Sequence, residues 1–282
     1  MKRRKKDKLL KSSTKKKSRG VRPWRELHFL GRVWRVLWIA VLIVVLFTWL
    51  QVFLGAFINP PLTPLMIQRF FQQLSDNERP VRFERHYVDI EDISPNLITA
   101  VVHSEDGLFM YHKGFDVKQM KIAYREHRNG RRTRGASTIS QQTAKNAFLP
   151  HSRTLLRKSA EVYYTALIEM VWGKRRIMEV YLNVAEFGDG VYGCEAASQH
   201  YFGHAAAKLT RQEASQLAAT LPSPLKRNPA HQSPYYRRQA AKIQQSFSWG
   251  SVDINMPKDK RKGKYKDQEN LWDFFRWYLK NE

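Results

Sequence analysis

The chain has 282 residues, a formal net charge of +24 and one cysteine, Cys194. A single cysteine excludes an intrachain disulfide and any cysteine-rich metal site, while so positive a charge calls for an anionic partner: nucleic acid, a phospholipid surface or a phosphorylated substrate. With a membrane span and tails set apart, the length leaves one soluble domain held by its core alone.

Residues 1–35 carry 15 Lys and Arg against Asp7 and Glu26, which accounts for +13 of the +24. From Val36 to Ile58 no charge occurs over 23 residues, enough to span a bilayer that needs about 20. A cleavable signal peptide fits poorly, because its apolar core would be only about 7–15 residues long. The basic flank precedes the span, which predicts a cytoplasmic tail and an exported domain. The tail itself reads as topology signal and lipid-headgroup contact in preference to DNA binding.

Asn59-Pro60-Pro61-Leu62-Thr63-Pro64 breaks the helix and opens a juxtamembrane stalk, in which Leu65 to Leu74 resumes as a short helix. Val81 to Ile90 alternates roughly and could be extended. Ser94-Pro95 is a helix start, with Leu97, Ile98 and Val101 as an apolar stripe that delivers Glu105 at the helix's C-terminal end. The stretch His103 to Asp116 sets the adjacent carboxylates Glu105 and Asp106 before a turn rich in aromatics and glycine. A carboxylate at a helix end, half screened by Phe109, Tyr111 and Phe115, can have its pKa drawn toward working pH, as a general base requires. Surface loops also carry acidic pairs, and the segment's chemistry leaves both readings open.

Val117 to Arg128 is predicted helical and ends in a basic loop bracketed by Gly130 and Gly135, which could close over a phosphate. Gly135 to Asn146 is rich in hydroxyls and amides and opens another helix. Its backbone N–H groups, with Lys145 and Arg153 following, suit a pyrophosphate or sugar; an ordinary N-cap with an exposed helix suits the same residues. Leu155 to Trp172 is predicted as a helix whose core-facing stripe is 156, 160, 163, 164, 167, 168 and 171, with Arg157, Lys158 and Glu161 on the charged side. Glu161 is either half of a common helix ion pair or a second active-site carboxylate, and spacing alone does not choose. Lys174 to Ala185 buries Ile177, Val180, Tyr181 and Val184, with Glu179, Asn183 and Glu186 on one face. Glycine-rich turns at 188, 190 and 193 and a small-residue helix lead to a capping box, Thr210 to Glu213, and Ser233-Pro234 starts the last long helix, to about Ser246. No strand pairs or repeats stand out, so the domain is predicted mostly α. Lys258 to Lys266 is a basic linker. The amphipathic segment after it, built on Leu271, Phe274, Phe275 and Tyr278 with Trp272 and Trp277 at its edges, suits either a membrane interface or docking on the domain's own surface.

Four segments, in order and at matching spacing over residues 81–250, resemble the peptidoglycan glycosyltransferases, specifically the monofunctional biosynthetic type. The first is Glu105-Asp106-Gly-Leu-Phe109-Met-Tyr-His112-Lys-Gly114-Phe115-Asp116. The second is Gly135-Ala136-Ser137-Thr138-Ile139-Ser140-Gln141-Gln142-Thr-Ala-Lys145-Asn146, the third Arg157-Lys158-Ser-Ala-Glu161, and the fourth Ile177-Met178-Glu179-Val-Tyr181-Leu182-Asn183, continuing to Gly188. Ala136 stands where the family has a second glycine and Ser140 where it has threonine; neither departure removes a reacting group.

The chain is thus expected to be mostly α, with a basic tail (1–35), a single transmembrane helix (36–58), a stalk (59–80), a domain at 81–250 that the resemblance implies is a lysozyme-like helical glycosyltransferase, and a basic, amphipathic C-terminal extension (251–282). The resemblance implies polymerisation of lipid II at the outer face of the bacterial inner membrane, the catalytic domain being periplasmic, with inversion at the donor MurNAc C1 and release of undecaprenyl pyrophosphate. Glu105 is then the base that activates the acceptor GlcNAc 4-hydroxyl, Glu161 the second carboxylate, and Lys145 with Arg153 the cations that stabilise the leaving pyrophosphate. Ser137, Gln141, Gln142, Asn146 and Glu179 would line the sugar and phosphate site or hold its shape, with Phe109 and His112 counted among the substrate-binding residues. No cofactor is required, although Mg or Mn is admitted. The expected partners are lipid II, the nascent glycan, phospholipid and other cell-wall synthesis or division proteins, with no nucleic acid. A lysozyme-like hydrolase is the nearest rival and would need a raised-pKa acid for a sugar leaving group. A membrane-tethered nucleic-acid binder rests on charge alone. A metal enzyme built on His103 and His112 lacks a ligand set. A transpeptidase is excluded, since Ser-x-x-Lys occurs only at Ser12, Ser13 and Ser223 and no Lys-Thr-Gly occurs.

Overall fold

The computed structural model describes residues 24–76, 81–130, 135–152, 154–257 and 269–281. The basic tail before Trp24, most of the basic loop at 131–134, Arg153 and the basic linker at 258–266 lie outside the described residues. The described chain divides into two compact units, one ending at Leu50 and one beginning at Gln51.

Helix α1 runs Trp24–Gly55, and its Gly31–Gly55 portion, 25 residues, is long and apolar enough to cross a membrane. It starts before the charge-free run and stops at Gly55, three residues short of Ile58, ahead of Asn59-Pro60. Next comes α2 (Pro64–Leu74), capped by the Thr63 hydroxyl on the Met66 N–H.

In the second unit the core is helical. Helix α3 (Pro95–Glu105) begins where the Ser94 hydroxyl accepts the Asn96 N–H, and it buries Leu97, Ile98, Val101 and Val102. Helices α4 (Val117–Arg128), α5 (Ile139–Phe148), α6 (Leu155–Val171) and α7 (Lys174–Val184) follow. Then come α8 (Cys194–Phe202), α9 (Arg211–Thr220), closed by the expected Thr210–Glu213 capping box, and α10 (Pro234–Ser246). α5 packs between α6 and α7, and α3 packs on α9, which α10 covers in turn. Ile168, Ile177, Val180, Tyr181, Leu182 and Leu217 are fully buried, each stabilising the fold by about 1.5–3 kcal/mol relative to exposure.

Three expectations are corrected. A small sheet does form, β1 (Glu84–Arg85) parallel to β3 (Val191–Tyr192), which pairs antiparallel with β2 (Glu186–Gly188). Strands of two or three residues are too short to print an alternating pattern, which is why the sequence concealed them. The apolar stripe expected on α6 fails at its first turn, where Leu156 is exposed, and at Tyr163, which is also solvent-facing, while Ala160, Tyr164, Leu167 and Ile168 meet the core. Glu161, placed by periodicity on the charged side, is instead buried.

The C-terminal helix, α11 (Leu271–Asn281), docks on α4: Tyr124 meets Trp277 and Tyr278 edge-on at 5.4 and 5.1 Å, and Lys121 pairs with Glu269 at 2.6 Å. Its opposite face leaves Trp272, Phe275 and Leu279 exposed. Cys194 is completely buried at the start of α8, and burial pushes its thiol up to about 12.

Candidate active site

The first and second motifs are joined by one carboxylate. Asp106, the residue that ends α3, accepts the Ile139 N–H at 3.0 Å, so it supplies an anion to the positive N-terminal end of α5. It also accepts from His112 Nε2 at 2.8 Å, while His112 Nδ1 accepts the Gly114 N–H at 3.0 Å. That bonding leaves the imidazole neutral, with its proton on Nε2. Gly114 sits at φ 88°, where a Cβ would come within 2.9 Å of Thr165 Cγ2, and its carbonyl accepts the Thr138 hydroxyl at 2.6 Å. Thr138 in turn forms a capping box with Gln141. The turn from Asp106 to Asp116 and the start of α5 are thus one hydrogen-bonded unit.

This places several sequence-named residues in structural roles. Phe109 is wholly buried, with the Lys174 ammonium 4.6 Å from its ring centre, and His112 is 4% exposed; both pack behind the turn that carries Glu105. Gln141 is occupied by the capping box. Glu179 accepts from Tyr87 at 3.1 Å and from the Ile90 N–H at 3.2 Å, and pairs with Arg176. In this structure the side chains of Gln141 and Glu179 are both engaged by bonds within the protein.

Glu105 differs from its neighbour. It is half-buried, and Oε2 accepts one hydrogen bond, from Gln142 Nε2 at 2.8 Å; Gln142 Oε1 accepts the Tyr181 hydroxyl at 3.2 Å. Desolvation pushes the Glu105 pKa above its ordinary value, the Gln142 hydrogen bond and the Lys145 charge pull it back, and the adjacent Asp106 charge raises it. Of two adjacent acids, one is committed to the scaffold and the other carries a single hydrogen bond and a pKa raised by burial.

Glu105 lines a cleft of about 710 Å³ whose walls include the end of α3, Asp116 and Gln119 of α4, Gly135 to Thr138 with Ser137 exposed, and the segment Trp249 to Val252. Glu105 also feels the charge of Lys145. Lys145, in the last turn of α5, has its pKa lowered by burial and raised chiefly by Glu161, with Arg157, Lys158 and Glu105 also acting on it. Glu161 accepts from Arg157 at 2.5 Å and pairs with Lys158. Arg157 Nε is buried with no partner among the described residues, an unmet donor that an anion would satisfy. Asn146 is buried in the same helix. Glu105, Lys145 and Glu161 therefore share one electrostatic neighbourhood, while Arg153 lies outside the described residues. Sequence reasoning missed Tyr181 as the anchor of Gln142, the scaffold role of Asp106, and the cleft wall after Ser246. Adjacency to Glu105 was a usable signal for Asp106 and membership of the fourth motif one for Tyr181; the cleft wall had none.

A family profile described as Transglycosylase matches residues 72–247. A biosynthetic peptidoglycan transglycosylase of Xylella fastidiosa (strain M12) is 46% identical over 229 residues, covering 79% of this chain and 93% of that protein. Proteins of the same description from Shewanella oneidensis and Caulobacter vibrioides are 45% and 44% identical, covering 74% and 77% of this chain and 90% and 92% of their own lengths. With the four motifs, the joined carboxylate site and matches across most of its length, this chain belongs to the biosynthetic peptidoglycan transglycosylase family of glycosyltransferases.

Proposed function

We propose that this protein polymerises lipid II into glycan strands, transferring the growing chain from undecaprenyl pyrophosphate to the 4-hydroxyl of an acceptor GlcNAc, and that it carries no transpeptidase activity. The observation that carries this reading is Glu105, a carboxylate whose pKa burial raises, in the wall of a saccharide-sized cleft and within electrostatic reach of Lys145, which in turn feels Arg157, Lys158 and Glu161. Glu105 removes the proton of the acceptor hydroxyl as that oxygen attacks the donor sugar's C1 from the face opposite the leaving group. The bond from C1 to the pyrophosphate oxygen breaks, and the departing charge falls on the cations. A positioned base contributes about 10²–10⁴-fold, and fixed cations in a partly desolvated site add electrostatic stabilisation where charge develops.

Glu161 acts on this set at one remove: it pairs with Arg157 and Lys158 and raises the Lys145 pKa, which keeps the lysine charged for the phosphate. Because Glu161 is already committed to two cations, the donors here do not fit a resident divalent ion, and no step runs through one. A hydrolase reading is less well supported, since a cluster of cations suits a pyrophosphate leaving group better than a neutral sugar alcohol. The helix from Gly31 to Gly55 would hold the enzyme at the bilayer that carries its substrate, with the basic tail cytoplasmic and the catalytic unit periplasmic.

The test is incubation of the full-length, detergent-solubilised protein with labelled lipid II, wild type beside Glu105→Gln. Lysozyme-digestible polymer from the wild type alone supports the reading. A folded wild type that makes no polymer, with or without divalent cation, overturns it.

A further inference from the structure

The cleft beside Glu105 has a wall that lies beyond the residues matched by the family profile. After α10 the chain makes a short 3₁₀ turn, Phe247–Trp249, and passes through Gly250 at φ 104°, a left-handed conformation open to glycine, before running along the cleft from Ser251 to Met256. This wall is anchored. The Val252 N–H donates to Thr99 Oγ1 of α3 at 3.2 Å, the Asn255 N–H donates to Asp253 Oδ1 at 2.9 Å, and Ile254 is buried in the core.

Trp249 stands at the head of the wall and is 77% exposed, although it lines the cleft. Its ring is not loose. It rests against His103 with centroids 5.5 Å apart, and His103 Nδ1 is bonded to Ser246 Oγ at 3.0 Å. Since Ser246 donates its own proton to the Ile243 carbonyl at 2.6 Å, it accepts from His103, so Nδ1 carries the imidazole proton. Burial lowers the His103 pKa and favours the neutral ring. The outcome is a large flat indole, braced from behind by a positioned imidazole, presented in a cleft that also holds Glu105, Ser137 and Asp253.

An exposed tryptophan alone needs no explanation. A braced one inside a polar cleft is the arrangement by which proteins bind pyranose rings: the axial C–H face of the sugar covers the indole, and nearby carboxylates and hydroxyls take its hydroxyl groups. We propose that Trp249 is the stacking platform of a saccharide subsite, holding one N-acetylhexosamine ring of the glycan next to Glu105. This rests on the glycan-polymerising reading above and extends it by naming where a sugar ring is held.

The experiment uses the full-length protein in detergent, as wild type, Trp249→Ala and Trp249→Phe. Binding of a water-soluble β-1,4-linked GlcNAc–MurNAc tetrasaccharide is measured by calorimetry, beside KM and kcat for labelled lipid II. We expect Trp249→Ala to weaken tetrasaccharide binding about tenfold and to raise KM by more than it lowers kcat, with Trp249→Phe recovering most of both and all three proteins melting together. Equal tetrasaccharide affinity in wild type and Trp249→Ala overturns the subsite, whatever the polymerase assay gives. Loss of affinity in Trp249→Ala that Trp249→Phe does not recover overturns the stacking role. A wild type that makes no polymer yet binds the tetrasaccharide through Trp249 overturns the polymerase reading and leaves the subsite supported.

Discussion

Asp106 accepts the backbone N–H of Ile139 at 3.0 Å, so the residue next to Glu105 holds the first turn of the helix that carries Gln142 and Lys145. In Asp106→Ala two buried donors, the Ile139 N–H and His112 Nε2–H, lose their acceptor, at about 1–3 kcal/mol each. The expected result is a clear fall in thermal midpoint together with a fall in polymerase activity, read by calorimetry and by the lipid II assay. Unchanged melting would show that the two motifs are held together by packing alone.

Glu105→Gln keeps the shape and an oxygen to accept from Gln142, so the loss should fall on chemistry, about 10²–10⁴-fold in kcat. Its stability effect has the opposite sign. The folded-state pKa of Glu105 is raised by burial, so its contribution to stability is fully present below the unfolded carboxylate pKa and is lost as pH climbs through the folded value. At neutral pH, Glu105→Gln should therefore melt above wild type, and the gap should close in acid. Melting curves from pH 4 to 8 check this.

The hydrogen bond from Gln142 draws the Glu105 pKa down. Gln142→Leu removes it and leaves the Tyr181 hydroxyl without that acceptor. Because the base must be ionised to act, the acid limb of the pH profile of kcat/KM should move to higher pH. An acid limb that stays in place would detach that limb from Glu105.

Glu161→Gln withdraws the partner of Arg157 and Lys158 and the largest influence holding the Lys145 pKa up. Lys145 should then lose its proton at lower pH, so the alkaline limb of the rate profile should shift toward neutrality, with about 1–3 kcal/mol of lost stability from the unpaired Arg157. A pH-rate series with parallel denaturation checks both.

Much of this fold was legible because its signals are local. Ser94-Pro95, Thr210 to Glu213 and Ser233-Pro234 mark helix starts through side chains that satisfy backbone donors within three residues. What sequence concealed is long-range. Glu161 stands among apolar and charged neighbours in a helical pattern that fits a solvent-facing pair, and only the packing of α5 against α6 buries it. Phe109 and His112 sit inside the first motif and so read as ligand contacts; that Phe109 is wholly buried and that His112 is bonded to Asp106 is visible only in the fold. The sheet escaped because pairing Glu84 with Val191 joins segments more than a hundred residues apart. The four motifs pointed to the family, while the cleft wall at Trp249 carries no motif and emerges only from the fold.

The inert environment of Cys194 has a practical use. A thiol with no exposed surface and a pKa pushed up to about 12 presents almost no thiolate to an alkylating reagent, so the natural protein is already a silent background for cysteine labelling. Single replacements at Ser12 and Ser248 can then be probed in whole cells with a maleimide that cannot cross the inner membrane. Ser248→Cys should react once the outer membrane is opened and Ser12→Cys only after lysis; the reverse order would invert the orientation proposed for the anchor.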